Sequence, residues 1–232
     1  MEIIKELQNL ASPEKAKFAD RFFKTGKGQY GEGDHFLGIV VPDTRKIAKK
    51  YKNISLSEIE TLLDNKFHEV RLCALLILVQ KFSENPEKIY KFYLRNSAKI
   101  NNWDLVDSSA DKIIGAYLHS NPSEKTIIYK LVKSKNIWEK RISIISTFYF
   151  IRKNEFDDAL KISELLLSDS HDLIHKAVGW MLREIGKRDI ATEESFLKKF
   201  ASKMPRTMLR YAIERFPEAK RQSYLKTKQS HD

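Results

Sequence analysis

Five short stretches of this chain share one layout, a turn running into a helix that carries a polar residue among apolar ones. They are His68-Glu69-Val70-Arg71-Leu72, Trp103-Asp104-Leu105-Val106-Asp107, Trp138-Glu139-Lys140-Arg141-Ile142, Ile174-His175-Lys176-Ala177-Val178 and Thr207-Met208-Leu209-Arg210-Tyr211. With Arg71, Asp107, Arg141, Lys176 and Arg210 as anchors, successive steps are 36, 34, 35 and 34 residues. A unit of about 35 residues holds one helical hairpin, too small to bury its own apolar face, so such units stack on their neighbours. The expected fold is all-α, a right-handed superhelical solenoid of helical pairs with the anchors along its concave wall. No composition shift marks a domain boundary. The reading is one repeat domain over 1–225 with a polar tail over 226–232.

The rest of the chain agrees with a helical class. Apolar residues recur at three- and four-residue steps, as in Leu62, Leu63, Phe67, Val70, Leu72, Leu75, Leu76 and Val79. Helix starts are read at Ser12-Pro13-Glu14, Ser55-Leu56-Ser57-Glu58, Asn121-Pro122-Ser123-Glu124 and Thr192-Glu193-Glu194. Lys and Arg number 42 against 31 Asp and Glu, a formal charge of +11, which favours a polyanionic partner along a concave face. The lone Cys73 lies in an apolar helical stretch and is read as a small core residue. Charges break the opening residues Met1 to Leu7, so no signal peptide is expected. The apolar run from Ile142 to Ile151 is broken by Ser143, Ser146 and Thr147 and is too short for a bilayer. A cytoplasmic monomer with no membrane association is expected.

Gly26-Lys27-Gly28-Gln29-Tyr30-Gly31 matches the dinucleotide fingerprint letter for letter. That fingerprint works between a strand and a helix, whereas here a helical stretch precedes it. The segment reads instead as a connector whose backbone and Lys27 touch a phosphate. The six histidines show no metal-ligand spacing; His171 and His175 lack a third ligand and read as surface residues. No metal and no cofactor are expected.

The anchor row mixes four cations with one carboxylate, Asp107. Trp103 precedes Asp107 by four residues, which puts indole and carboxylate on one helix face. Trp138 precedes Arg141 by three, and Trp180 follows Lys176 by four. Core tryptophans and an Asp107–Arg141 pair between repeats would give the same pattern. Yet a cationic groove for phosphates has no electrostatic use for a carboxylate. The leaving group suggests what such a carboxylate does. Ordinary glycoside hydrolysis needs two carboxyl groups, one of them to protonate the departing oxygen. An N3- or N7-alkylated purine is already cationic and leaves neutral, so one carboxylate suffices to stabilise the oxocarbenium-like sugar or orient water. A tryptophan face attracts the cationic base, and an arginine holds the adjacent phosphate.

The same residues carry a family resemblance. The stretch Phe36-Leu37-Gly38-Ile39-Val40-Val41-Pro42-Asp43-Thr44-Arg45, followed by Asn102 to Asp107, Asn136 to Arg141, Lys176 to Glu184 and Met204 to Ala212, resembles the AlkD-type DNA alkylation-repair glycosylases from about Phe18 to Pro217. The resemblance implies a HEAT-like repeat fold and excision of positively charged alkylpurines from duplex DNA. It places the family's catalytic aspartate on Asp107, its active-site tryptophan on Trp103, its cleft arginine on Arg141 and a second DNA-facing tryptophan on Trp180. It departs at Asn102, where some members have tryptophan, and at Phe22, which stands where an aromatic hydroxyl is found. Lys176, Arg71, Arg210, Arg45, Lys27 and Phe22 complete the expected DNA contacts. The competing expectations are a non-catalytic DNA-binding repeat protein of the same lineage and a scaffold for acidic proteins.

Overall fold

The structure, a computed structural model, describes residues 1–226. Of the tail expected over 226–232, only Lys226 is described, as the last residue of a helix; the rest lies outside the described residues. The described residues form helices and turns without a β-strand, and one parallel bridge joins His35 to Phe67. The chain divides into two compact units, Met1–Ser109 and Ala110–Asp232.

The first unit opens with α1 (Glu2–Asn9) and α2 (Pro13–Phe22). Ser12 caps α2 through the Lys15 amide, with proline in the first helical position, as its sequence predicts. A stretch of turns leads to α3 (Val41–Lys50), α4 (Leu56–Leu63) and α5 (His68–Lys81). Ser55 and Glu58 close a reciprocal capping box at the start of α4. Every residue of α5 from His68 to Leu78 is buried, so its first turn must satisfy its polar side chains inside the protein. Cys73 is fully buried there, and burial pushes its thiol up to about 12, the inert core residue its surroundings predict. The unit ends with α6 (Pro86–Arg95) and α7, which spans Trp103–Ala110.

The second unit begins with a π-helical turn at Asp111–Gly115, then α8 (Ala116–Ser120) and α9 (Thr126–Leu131). Asn121-Pro122 starts a short 3₁₀ turn rather than the helix proper. Next come α10 (Ile137–Arg152), α11 (Asp157–Leu165), α12 (Asp172–Gly186), α13 (Ile190–Phe200), α14 (Arg206–Ala212) and α15 (Glu218–Lys226). The start read at Thr192 falls two residues earlier in the structure. Asp189 caps α13 by accepting from the Thr192 amide, so Thr192 is already in the first turn. In α10 the polar interruptions are all bonded: Ser143 donates to the Ile128 carbonyl, and Ser146 and Thr147 donate back to Ile142 and Ile144. Helix α12 packs against α10, α13 and α14. Gly179 permits the close crossing with α14, since a Cβ there would stand 2.4 Å from the Met208 carbonyl.

The anchors keep one phase. Arg71 is the fourth residue of α5, and Asp107, Arg141, Lys176 and Arg210 are each the fifth residue of α7, α10, α12 and α14. The 35-residue step is therefore a step from helix to equivalent helix, and the fold is an all-α helical repeat.

Candidate active site

In the first unit, Trp103 opens α7 and Asp107 follows one turn later; both are half-buried. The indole stacks on Phe23 at 5.2 Å with planes 12° apart, and Phe22 meets it edge-on at 5.9 Å. These contacts fix the ring, at about 0.5–1.5 kcal/mol per aromatic pair beyond area burial. The flanking residues are tied down as well. Asn102 accepts from the Trp103 amide and donates to Asp34 Oδ2 at 2.8 Å. Asp104 accepts from the Leu105 amide through Oδ1 and pairs through Oδ2 with His68 Nε2 at 2.7 Å.

His68 is the centre of a buried polar cluster. Its Nδ1 faces Asp34 Oδ2 at 3.3 Å, and the other Asp34 oxygen pairs with Arg71 Nη2 at 2.5 Å. Burial alone would lower the imidazole, but the Asp104 and Asp34 carboxylates hold it up at about 9, so it is cationic at neutral pH. Burial would likewise raise the Asp34 carboxyl, yet hydrogen bonds from His68, Asn102 and Arg71 and the arginine charge bring it down to about 2. The imidazolium stacks on Phe36 at 4.7 Å, and Phe36 stacks on Phe23 at 4.7 Å. A run of rings thus connects His68 to Trp103.

The next residue of α5, Glu69, holds the stretch before α3. Its carboxylate accepts from the amides of Leu37 (2.9 Å), Gly38 (2.8 Å) and Ile39 (3.2 Å). Gly38 has φ +80°, and a Cβ there would come within 2.2 Å of the Ser12 carbonyl, so this position in the Phe-Leu-Gly segment admits only glycine.

The expected DNA contacts of this unit separate into two groups. Lys27 and Arg45 are exposed, and Phe22 is 54% exposed. Lys27 sits in a turn between helices, where the Gly28 amide donates to Glu32 and no strand precedes it. Arg71 is different. It is 7% exposed and committed to Asp34 and, more weakly, the Asn65 carbonyl, so it is an internal cation and not the phosphate contact its place in the row predicts. The buried acids explain this: ionised Asp34 needs a cation beside it.

In the second unit, Arg141 is 5% exposed and donates through Nη1 to the Leu173 carbonyl at 2.5 Å. Trp138 is buried. Lys176 is half-buried and pairs with Asp172 at 2.7 Å, whereas Arg210 is exposed. Trp180 is half-buried, donates to Glu184 Oε1 at 3.2 Å and lies 5.5 Å from the Phe148 ring. Arg152 covers that same Phe148 ring at 4.5 Å and pairs with buried Asp111 at 2.7 Å. His171 and His175 are half-buried rather than surface residues: His171 caps α12, and His175 Nε2 meets the Asp169 carbonyl. Among the described residues, no group of three or more histidine, cysteine or acidic side chains could hold a metal ion. No described helix is long and apolar enough to cross a membrane.

Asp34, His68, Glu69 and Asp104 carry this architecture, and the periodicity does not single them out. A signal does exist in the sequence, because an otherwise apolar helix that begins His-Glu-x-Arg must find partners for those groups elsewhere.

Comparison with known proteins places the chain. No curated protein matches it. Among solved structures it is similar to one described as a predicted DNA alkylation repair enzyme from Enterococcus faecalis, at 19% identity and TM-score 0.71, covering 90% of this chain and 97% of that one. It is also similar to AlkD2 from Streptococcus mutans, at 17% identity and TM-score 0.57 over 88% and 98% of the two chains. The smu.31 protein of Streptococcus mutans UA159 matches at 16% identity and TM-score 0.58 over 88% and 100%. At these identities the likeness is one of fold, which agrees with the helical repeat. The model of the DNA alkylation repair enzyme family matches residues 3–216, nearly the whole chain, and the protein belongs to that family, with a role in the repair of alkylated DNA.

Proposed function

We propose that the protein is a monofunctional DNA glycosylase that excises N3- and N7-alkylated purines from duplex DNA and acts as a monomer. The observation that carries this reading is the pairing on α7 of a fixed, half-buried indole with a carboxylate one turn away. An ionised Asp107 stabilises positive charge as it develops on the deoxyribose or orients the attacking water. The base needs no general acid, because it leaves neutral. Trp103 offers its face to the cationic base, a contact of about 0.5–2 kcal/mol. Its place is fixed on both sides, by Phe22 and Phe23 and by the anchored Asn102 and Asp104, so little ordering entropy is lost on engagement. Arg141, fixed by the Leu173 carbonyl, is assigned to phosphate, and Lys176, Trp180, Arg210, Arg45, Lys27 and Phe22 to the DNA surface. Arg71 is left out of that set because its guanidinium is already paired with the Asp34 carboxylate.

The test is single-turnover release of methylated base from duplex DNA, read above spontaneous loss. Asp107→Asn is expected to slow release by about 10²-fold while DNA affinity stays level or rises, since the lost charge acts in the transition state. Equal release by both proteins would leave a non-catalytic DNA-binding protein of the same lineage.

A further inference from the structure

Helix α2 buries none of its residues, although its sequence carries Ala16, Phe18, Ala19 and Phe22. Phe18 is 70% exposed and Phe22 54%. Their rings stack at 6.1 Å with planes 14° apart and form a shelf on the outside of the helix. Beside it, between α2, the 36–41 stretch and the first turn of α5, is a recess of about 200 Å³. Its lining includes Lys15, Phe18, Phe23, Phe36, Val41 and Asp104. Large exposed aromatic patches mark binding surfaces in soluble proteins.

The charges around the shelf indicate what binds. Between residues 14 and 27 the chain carries Lys15, Lys17, Arg21, Lys24 and Lys27 against Glu14 and Asp20. All five cations are exposed. Aromatic faces interleaved with cations fit a nucleic-acid strand, with bases stacking on the rings and phosphates meeting the cations.

The polar groups narrow the class further. Glu69 already accepts three amides, both nitrogens of His68 are taken by carboxylates, and both oxygens of Asp104 are bonded. The recess therefore offers ring faces and aliphatic carbon, with no hydrogen-bond code for a particular base. Its size suits one planar ring system, being below the roughly 300–1,000 Å³ of pockets for drug-sized ligands. A base inside a duplex has both faces covered by its neighbours; only an unpaired base can present one.

We infer that the Phe18–Phe22 shelf and the adjoining recess bind an unpaired nucleobase of a DNA strand by stacking, without base preference, with Lys15 on the neighbouring phosphate. This rests on the chain binding DNA and not on any excision chemistry.

Fluorescence anisotropy tests it on two lesion-free duplexes, one fully paired and one carrying a single-nucleotide bulge. The wild-type protein is expected to prefer the bulged duplex by about tenfold. Phe18→Ala removes the shelf at a site too exposed to endanger folding and should bring the ratio near one, with paired-duplex affinity little changed. Val41→Asp places a carboxylate at the rim of the recess, at a helix N-terminus that tolerates it, and should do the same. Binding of both duplexes by the wild type with a ratio near one, or a preference that survives both substitutions, overturns the shelf alone. Binding of neither duplex at low salt overturns it together with the proposed function.

Discussion

Helix α5 of the first unit and α14 of the second carry an arginine at equivalent places, Arg71 and Arg210, and use it in opposite ways. Arg71 is sealed inside a cluster with Asp34 and His68, while Arg210 stands in solvent. Between them in the series, Lys176 of α12 is half-buried and paired within its own helix. A repeat thus fixes where a side chain begins, but its partners decide whether it serves the scaffold or the surface. In the first unit the partner is an acid from the long turn before α3, a feature with no counterpart in the spacing.

The largest effect that separates these two arginines is on stability. Arg71→Ala leaves buried Asp34 with only one of its two cationic partners, His68, and is expected to cost about 3–5 kcal/mol in urea unfolding. Arg210→Ala should stay within about 0.5 kcal/mol. Comparable losses at the two sites would break the comparison.

A second contrast is in pH dependence. His68 is raised to about 9 from an ordinary value near 6.5, so the stability its pairing contributes is full below about 6.5 and is lost as pH climbs through 9. In the second unit, burial holds the Glu193 carboxyl up at about 8, with the neighbouring Glu194 charge adding to it. One Glu193 oxygen is buried without a hydrogen-bond partner. Here the loss begins at the ordinary carboxylate value of 4.5 and continues up to about 8. Glu193→Gln should therefore raise the melting temperature by several degrees at pH 8 and change it little at pH 4.5. His68→Gln should abolish the alkaline loss near pH 9 and leave the change between pH 4.5 and 6.5 intact. The opposite assignment of the two windows would overturn the buried-charge account of the first unit.

The smallest effect is on DNA binding. Arg210→Ala is expected to flatten the log–log dependence of duplex affinity on salt by about one unit, while a conservative Arg71→Lys, which keeps the internal charge, leaves the slope unchanged. A slope that responds to Arg71 but not to Arg210 would restore the row of phosphate contacts that spacing alone suggests.

Much of the fold was legible because helical repeats write themselves in local signals. The capping box at Ser55 and the Ser12-Pro13 start depend on residues within a few positions of each other, and the five anchors recur at a near-constant step. The helix start at Thr192 was misplaced for a local reason too, since Asp189 was the better cap and lay just outside the triplet considered. The pairing of Trp103 with Asp107 was legible from a four-residue step. What held Trp103 in place was not. Asp34 lies 34 residues before His68, and His68 lies 36 before Asp104, each about one repeat apart; the step alone does not say which side chains meet, which follows from packing. Arg71 was misread because a cation in a basic chain is read first as a surface group, and its burial depended on an acid in another segment. The exposed Phe18 was equally hidden, for an aromatic at helical spacing is ordinarily core.

Glu69 gives one more consequence. Its single carboxylate is the acceptor for three consecutive amides, those of residues 37, 38 and 39, on a backbone that Gly38 alone can follow. The amides of the stretch that walls the aromatic recess are therefore held by one carboxylate, while its Leu37 carbonyl accepts from the Ser12 amide. Aspartate would be a methylene too short, and glutamine would bring an N–H to face amides that themselves need an acceptor. In evolutionary terms, the Gly38 segment and position 69 are expected to change together, because neither satisfies its hydrogen bonds without the other.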